Sequence, residues 1–204
     1  SSGTTALPKG AMLSHCLWQK AHDAGTRLDL GPADCLYLSI PLFGVMGSLG
    51  GILTMWSHGA RVVLAERFDV DGCINALVAE PCTALHLLPA MIDPLLSHPR
   101  YGEVLGLGAL RTGVALTNNP VALRRIDRDL RIKGVVTSYG MTELTGPVTR
   151  TRWDDPSDIR FETQGAALPG ISIRIADPES GRTMPPGEEG EIQVAGYCLM
   201  LGYY

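Results

Sequence analysis

The sequence has no clustered positive charge, no paired cysteine spacing, no internal repeat and no low-complexity tract, and each absence removes a class of function. Its 17 lysines and arginines are scattered among 21 aspartates and glutamates, for a net charge of −4. Without a basic stripe there is no electrostatic footprint for nucleic acid, so none is expected as a partner. The five cysteines (Cys16, Cys35, Cys73, Cys82, Cys198) are odd in number, far apart and free of C-x-x-C spacing. That pattern suggests neither a disulfide framework nor a zinc site, and free thiols in a reducing compartment, the cytoplasm, are expected. The histidines share no metal spacing. His86, between Leu85 and Leu87, reads as a satisfied strand histidine. No basic segment with an apolar run and a small-residue cleavage site opens the chain.

Long uncharged runs are scarce too, with one exception. Cys35 to Ser57, "CLYLSIPLFGVMGSLGGILTMWS", carries no charge and matches the roughly 20 residues that a membrane span requires. Pro41, Gly44, Gly47, Gly50 and Gly51 interrupt it. A buried strand, a tight turn and a buried helix account for it better than a span.

What is present, at 45% apolar residues over 204 positions, is enough to bury a core. Ser14 reads as the cap of a helix carrying Leu17, Trp18, Ala21 and Leu28 near one face. Strand-like "DCLYLSIP", "RVVLAE", "CTALHLLP", "ALRTGVAL" and "GVVTSYG" alternate with helical patterns. Among the latter are Val70, Ile74, Leu77 and Val78, then "AMIDPLLSH" as a broken turn, then Leu123, Ile126 and Leu130 behind an Asn119-Pro120 cap. Such alternation implies an α/β fold: a layered, largely parallel sheet with helices on both faces. From Ile171 the pattern changes to two alternating strands around a Gly/Pro-rich turn. Residues 1–150 are therefore expected to form the α/β subdomain and 151–204 a smaller β-rich one.

The first ten residues, "SSGTTALPKG", are rich in hydroxyls and unhindered backbone N–H groups, with Lys9 adding a positive charge. That chemistry suits a phosphate chain. It is not the nucleoside-triphosphatase loop G-x-x-x-x-G-K-[ST], because Pro8 and Gly10 stand at two required positions. Turn residues alone would read as an ordinary polar turn.

The order of those residues, followed by Ser14-His15, resembles the S-G-T-T-G-x-P-K-G signature of the adenylate-forming (AMP-binding) superfamily. Ala6 departs from a usual glycine. "SYGMTELTG" is similar to the family's Y-G-x-T-E element and "QGAALPG" to its G-x-P-x-P-G segment, with Ala167 departing. "PPGEEGEIQVAGYCLMLGYY" is similar to its P-x-G-E-x-G-E segment and the G-Y that follows.

The resemblance implies ATP-dependent activation of a carboxylic acid, an acyl-adenylate, and transfer to the thiol of coenzyme A, with magnesium as metal. By motif, Ser2, Gly3, Thr4, Thr5 and Lys9 would hold the outer phosphates, Thr142 the α-phosphate, and Glu143 the metal, with Lys9, Thr142 and Glu143 as the catalytic set. Tyr139 would lie against adenine, with Gly140 and Met141 beside it; Val114 and Ala115 would supply a further adenine contact. Phe43, Gly44, Val45, Met46 and Gly47 would line the acid pocket, with Gly44 where many CoA synthetases carry histidine. Taken singly, Tyr139 also reads as a core aromatic, Glu143 as a helix-start carboxylate, and Val114 and Ala115 as strand-end packing.

"GMTE" and "PLF" favour an acyl-CoA synthetase, such as a fatty-acid–CoA ligase. A carrier-protein-loading adenylation domain and a non-catalytic nucleotide-binding relative remain as alternatives. The resemblance further implies an interior stretch of about two-fifths of a family member. A ribose-binding aspartate, a hinge and a C-terminal domain with a catalytic lysine would then lie outside the 204 residues, and the stretch alone would turn over poorly.

Overall fold

The computed structural model describes residues 8–204. A short strand, β1 (Ala11–Met12), leads into helix α1 (Leu17–Thr26). Ser14 does not cap it: its hydroxyl accepts from Cys16 N (3.4 Å) and donates to Cys16 Sγ (2.9 Å), so it shapes the approach instead. The inward face of α1 is built from Lys20, Ala21, Ala24 and Gly25, while Trp18 faces solvent.

Strand β2 (Cys35–Leu38) is buried at every residue, as a strand covered on both faces must be. Past Pro41 the chain turns into a continuous helical run: α2 (Val45–Gly47), a π-helical turn (Ser48–Leu53) and α3 (Thr54–Trp56). Thus the uncharged stretch folds as strand, turn and helix. Among the described residues, no helix is long and apolar enough to cross a membrane.

Strand β3 (Arg61–Leu64) is followed by α4 (Val70–Ala79), which Asp69 caps by accepting from Gly72 N at 2.8 Å. After β4 (Ala84–Leu85), α5 (Pro89–Ser97) remains helical through Pro94, where a broken turn was expected. Met91, Ile92 and Leu95 are all buried against the sheet, and this packing outweighs the missing backbone donor. Helix α6 (Tyr101–Leu107), absent from the sequence reading, ends on left-handed Gly108 (φ 61°). Next come β5 (Thr112–Val114), α7 (Pro120–Arg128) and β6 (Gly134–Val136). Asn119 caps α7 by accepting from Val121 N (2.9 Å) and Ala122 N (3.4 Å).

These strands form one parallel sheet in the order β3-β2-β4-β5-β6. Alternate side chains separate to its two faces. Cys35, Tyr37, Leu85 and Val135 pack with Ile74, Leu77, Met91, Leu95, Leu123 and Ile126 of α4, α5 and α7. Leu36, Leu38 and Ala84 pack with Met55 of α3 on the other face. Helices therefore cover both faces, as the alternation of elements implies.

Beyond β6 the pairing becomes antiparallel. Strand β7 (Gly140–Met141) and β8 (Gly146–Pro147) flank a 3₁₀ turn, Thr142–Leu144; β9 (Thr149–Arg150) pairs with β10 (Ala166–Ala167) around α8 (Ser157–Glu162). Phe161 of α8 packs into the main core. Strands β11 (Ile171–Ala176) and β12 (Glu191–Gly196) form the expected hairpin. Finally β13 (Gly202–Tyr203) returns to pair with β1, matching Ala11 to Tyr203 and Met12 to Gly202.

Candidate nucleotide and acid site

The expected phosphate-loop residues Ser2, Gly3, Thr4 and Thr5 lie outside the described residues. Lys9 follows them, exposed, at the entry to β1. Pairing of β1 with β13 brings the Tyr203 ring to 5.2 Å, centroid to Lys9 Nζ, a cation–π distance. The Tyr203 hydroxyl donates to Glu143 Oε1 at 2.8 Å, and Met200 N donates to the Glu143 carbonyl at 2.9 Å. Lys9 and Glu143, remote in sequence, are thus gathered around one tyrosine. Its hydrogen bond to the carboxylate raises the Tyr203 pKa above the ordinary phenol value.

Thr142 and Glu143 sit in the 3₁₀ turn between β7 and β8, closed by Thr145 N donating to Thr142 O (3.0 Å). Thr145 adopts a left-handed conformation (φ 54°), and its hydroxyl donates to Cys198 O at 2.8 Å. Beneath the turn, the buried Lys20 ammonium donates to Leu144 O at 2.8 Å. Burial lowers the Lys20 pKa to about 8.

A cleft of about 100 Å³ lies between Val45 and Met46 of α2 and the segment leaving β6. Its other walls are Leu116, Ser138, Gly140, Met141, Gly146, Pro147 and Arg150. Four residues expected on two sides of the chemistry, Val45 and Met46 for the acid and Gly140 and Met141 for the nucleotide, therefore share one cleft. Tyr139 is half-buried against the cluster of Leu144, Val148 and Leu168. Its backbone is fixed by Thr149 Oγ1, which accepts from Tyr139 N at 3.2 Å.

Other expected residues stand elsewhere. Phe43 is 96% exposed. Gly44 precedes α2 in extended conformation, and Gly47 is packed under the Pro41 carbonyl, where a Cβ would approach to 2.3 Å. On the nucleotide side, the side chains of Val114 and Ala115 are buried between the sheet and its helices and do not line the cleft. The residue that reaches the cleft from this strand end is Leu116. Parallel pairing continues one step past β5, through the Leu87–Ala115 bridge, and keeps Ala115 inside.

His86 is fully satisfied. Its Nδ1 accepts from Val114 N (3.2 Å) and its Nε2–H donates to Gly50 O (3.0 Å) in the π-helical turn. Complete burial lowers its pKa to about 4, so the ring is neutral near pH 7.

Leu116, Ser138, Gly146, Pro147 and Arg150 were not singled out from sequence. Three of them flank the Y-G-x-T-E element, and that adjacency was the available signal. Arg150 gave none, because an arginine in "PVTRT" reads as solvent-facing.

The class of protein is thus set by a layered α/β fold with the Lys9–Tyr203–Glu143 cluster beside an apolar-walled cleft. The defining pattern of the AMP-binding enzyme family matches residues 1–204, and the chain belongs to that family. It is similar to the acyl-CoA ligase SID4 of Ajellomyces capsulatus, 35% identical over the whole chain and 35% of that protein. It is also similar to the mitochondrial medium-chain acyl-CoA ligase ACSF2 of Danio rerio, 32% identical over the whole chain and 34% of that protein. Among solved structures, ATP-bound MatB from Rhodopseudomonas palustris superimposes with a TM-score of 0.87 at 28% identity, over the whole chain and 40% of that protein. The chain spans about a third of the length of the curated relatives it matches.

Proposed function

We propose that this chain is the nucleotide- and acid-binding part of an acyl-CoA synthetase. In the reaction, the acid's carboxylate attacks the α-phosphate of ATP, pyrophosphate leaves, and the acyl-adenylate passes its acyl group to the thiol of coenzyme A with release of AMP. Charge shifts among phosphate oxygens, so the protein's task is to position reactants and supply fixed donors and cations.

Lys9, with Ser2, Gly3, Thr4 and Thr5, holds the outer phosphates, and Thr142 contacts the α-phosphate. Tyr139, Gly140 and Met141 form the adenine side; Val45 and Met46 form the acid side, with Gly44 and Gly47 setting the turn that presents them. Residues 1–150 carry these groups, and 151–204 begin the β-rich part. The gathering of Lys9 and Glu143 around Tyr203, beside a cleft shared by Val45, Met46, Gly140 and Met141, is the observation that carries this reading.

No group of three or more metal-ligating side chains occurs among the described residues. That fits magnesium, which usually binds through one or two carboxylates plus substrate phosphates rather than a protein cage. Glu143 is the residue that would hold it, and the ion would neutralise phosphate charge. The five free thiols suit a reducing compartment, in accord with a cytoplasmic enzyme.

The test is ATP–pyrophosphate exchange by the full-length protein across a panel of carboxylic acids, with thioester formation read separately. Lys9→Ala and Glu143→Gln are each expected to lower exchange about 10²-fold or more. Exchange without a CoA thioester would point to a carrier-protein acceptor. ATP binding without exchange for any acid would sink the catalytic reading.

A further inference from the structure

Arg150 is fully buried in β9 and lines the cleft, yet its guanidinium is barely used by the protein. Nη1 donates to Ala24 O at the end of α1 (3.0 Å), while Nε and Nη2 meet no acceptor. Arg160 shows the contrast. It too is buried, but its donors reach Asp155 O (2.9 Å), Val135 O (3.1 Å) and the Asp127 carboxylate (3.4 Å). Among the described residues, no carboxylate lies within ion-pair distance of Arg150.

Burial disfavours the charge of Arg150, and the neighbouring Arg27 cation does so as well; Arg150 in turn disfavours charge on Lys20 and on His86. A buried cation with open donors and no counter-ion is costly. A ligand that brings an anion removes that cost. The rest of the cleft supplies apolar walls from Val45, Met46, Leu116 and Pro147, and the Ser138 side chain. Its volume is about 100 Å³.

We propose that Arg150 recognises a second carboxylate on the tail of the substrate, so that the acid taken by this cleft is a dicarboxylic acid. The assignment rests on the acid-activating reading above and narrows its substrate class. Arg150 acts here as a specificity residue on the non-reacting end of the acid.

Calorimetric titration of the full-length protein with succinate and with butyrate, which have the same carbon number, tests this directly. Succinate is expected to bind at least about tenfold more tightly than butyrate, the range of a charge-assisted hydrogen bond. Arg150→Met should abolish the preference, and Arg150→Lys should keep part of it. Leu116→Asp supplies a second variant that leaves Arg150 in place. By adding a negative charge to the same cleft it should weaken succinate more than butyrate.

Equal binding of the two acids by the unaltered protein, or a preference that survives Arg150→Met, would overturn the assignment. Following ATP consumption in parallel separates the two readings. An Arg150-dependent preference with no acid activated keeps the binding site and removes the synthetase; activation of acids with no role for Arg150 does the reverse.

Discussion

His86 shows how one side chain can tie the site to the core. It spans from the Gly50 carbonyl in the π-helical turn to the Val114 amide at the end of β5, using one ring nitrogen as donor and the other as acceptor. The sequence could show only that it alternates with two leucines. Protonation would place a second N–H against the Val114 N–H in a site from which water is excluded. The folded pKa of about 4 therefore lies below the ordinary value of 6.5. Between those values the unfolded chain binds the proton and the folded one does not, so stability falls as pH drops from about 6.5 towards 4 and is fully present above. The contribution lost is about 3 kcal/mol, at about 1.4 kcal/mol per pH unit. Urea unfolding of the protein between pH 7 and pH 4, with His86→Gln alongside, checks this. The substitution should reduce the pH dependence over that interval while lowering stability at pH 7 by about 1–3 kcal/mol, since two buried groups lose an ideal partner. A pH dependence unaltered by the substitution would place the titration elsewhere.

At the scale of elements, the helical run from Val45 to Trp56 carries Val45 and Met46 to the cleft, and its geometry depends on glycine for closeness. A Cβ on Gly47 would meet the carbonyl oxygens of Pro41 at 2.3 Å and Ile40 at 2.8 Å, and backbone there cannot give way as a side chain can. Gly47→Ala is expected to cost about 1–3 kcal/mol as overpacking does, seen as a lower urea midpoint with unchanged m-value. Because Val45 and Met46 immediately precede Gly47, the same change should weaken acid binding; a variant with full stability and full acid affinity would contradict the packing argument. The parallel character of the sheet of β2 to β6, though not its strand order, was legible because buried strands and amphipathic helices alternate in composition as well as in space. Helix α6 was not, since Gly102 and Gly106 dilute its periodicity, and neither was the continuity of α5 through Pro94, where burial of Met91, Ile92 and Leu95 decides the outcome. The site divided in the same way. Lys9, Thr142 and Glu143 were legible as motif letters, whereas Leu116 and Arg150 enter the cleft through strand register and a buried rotamer, neither of which leaves a mark on one sequence.

For the molecule as a whole, β1 and β13 join the two ends of the described chain, and their pairing carries Tyr203 between Lys9 and Glu143. This arrangement separates two functions of one side chain. The ring faces the ammonium through cation–π attraction, and the hydroxyl orients the carboxylate. Tyr203→Phe keeps the first and loses the second; Tyr203→Ala loses both. Tyr203 is substantially exposed, so neither change should move the thermal midpoint by more than the small effect of a surface substitution. The site should respond in steps. Tyr203→Phe is expected to raise the KM for ATP–Mg²⁺ about threefold to tenfold in the full-length protein, the range of a partly exposed charge-assisted hydrogen bond. Tyr203→Ala should add a further loss of about two- to fivefold as Lys9 is freed from the ring. A purely structural tyrosine would lower stability in both variants and leave KM alone. If KM is unchanged in both, the contacts of Tyr203 with Lys9 and Glu143 do not contribute to nucleotide binding, and the pairing of β1 with β13 serves the fold only.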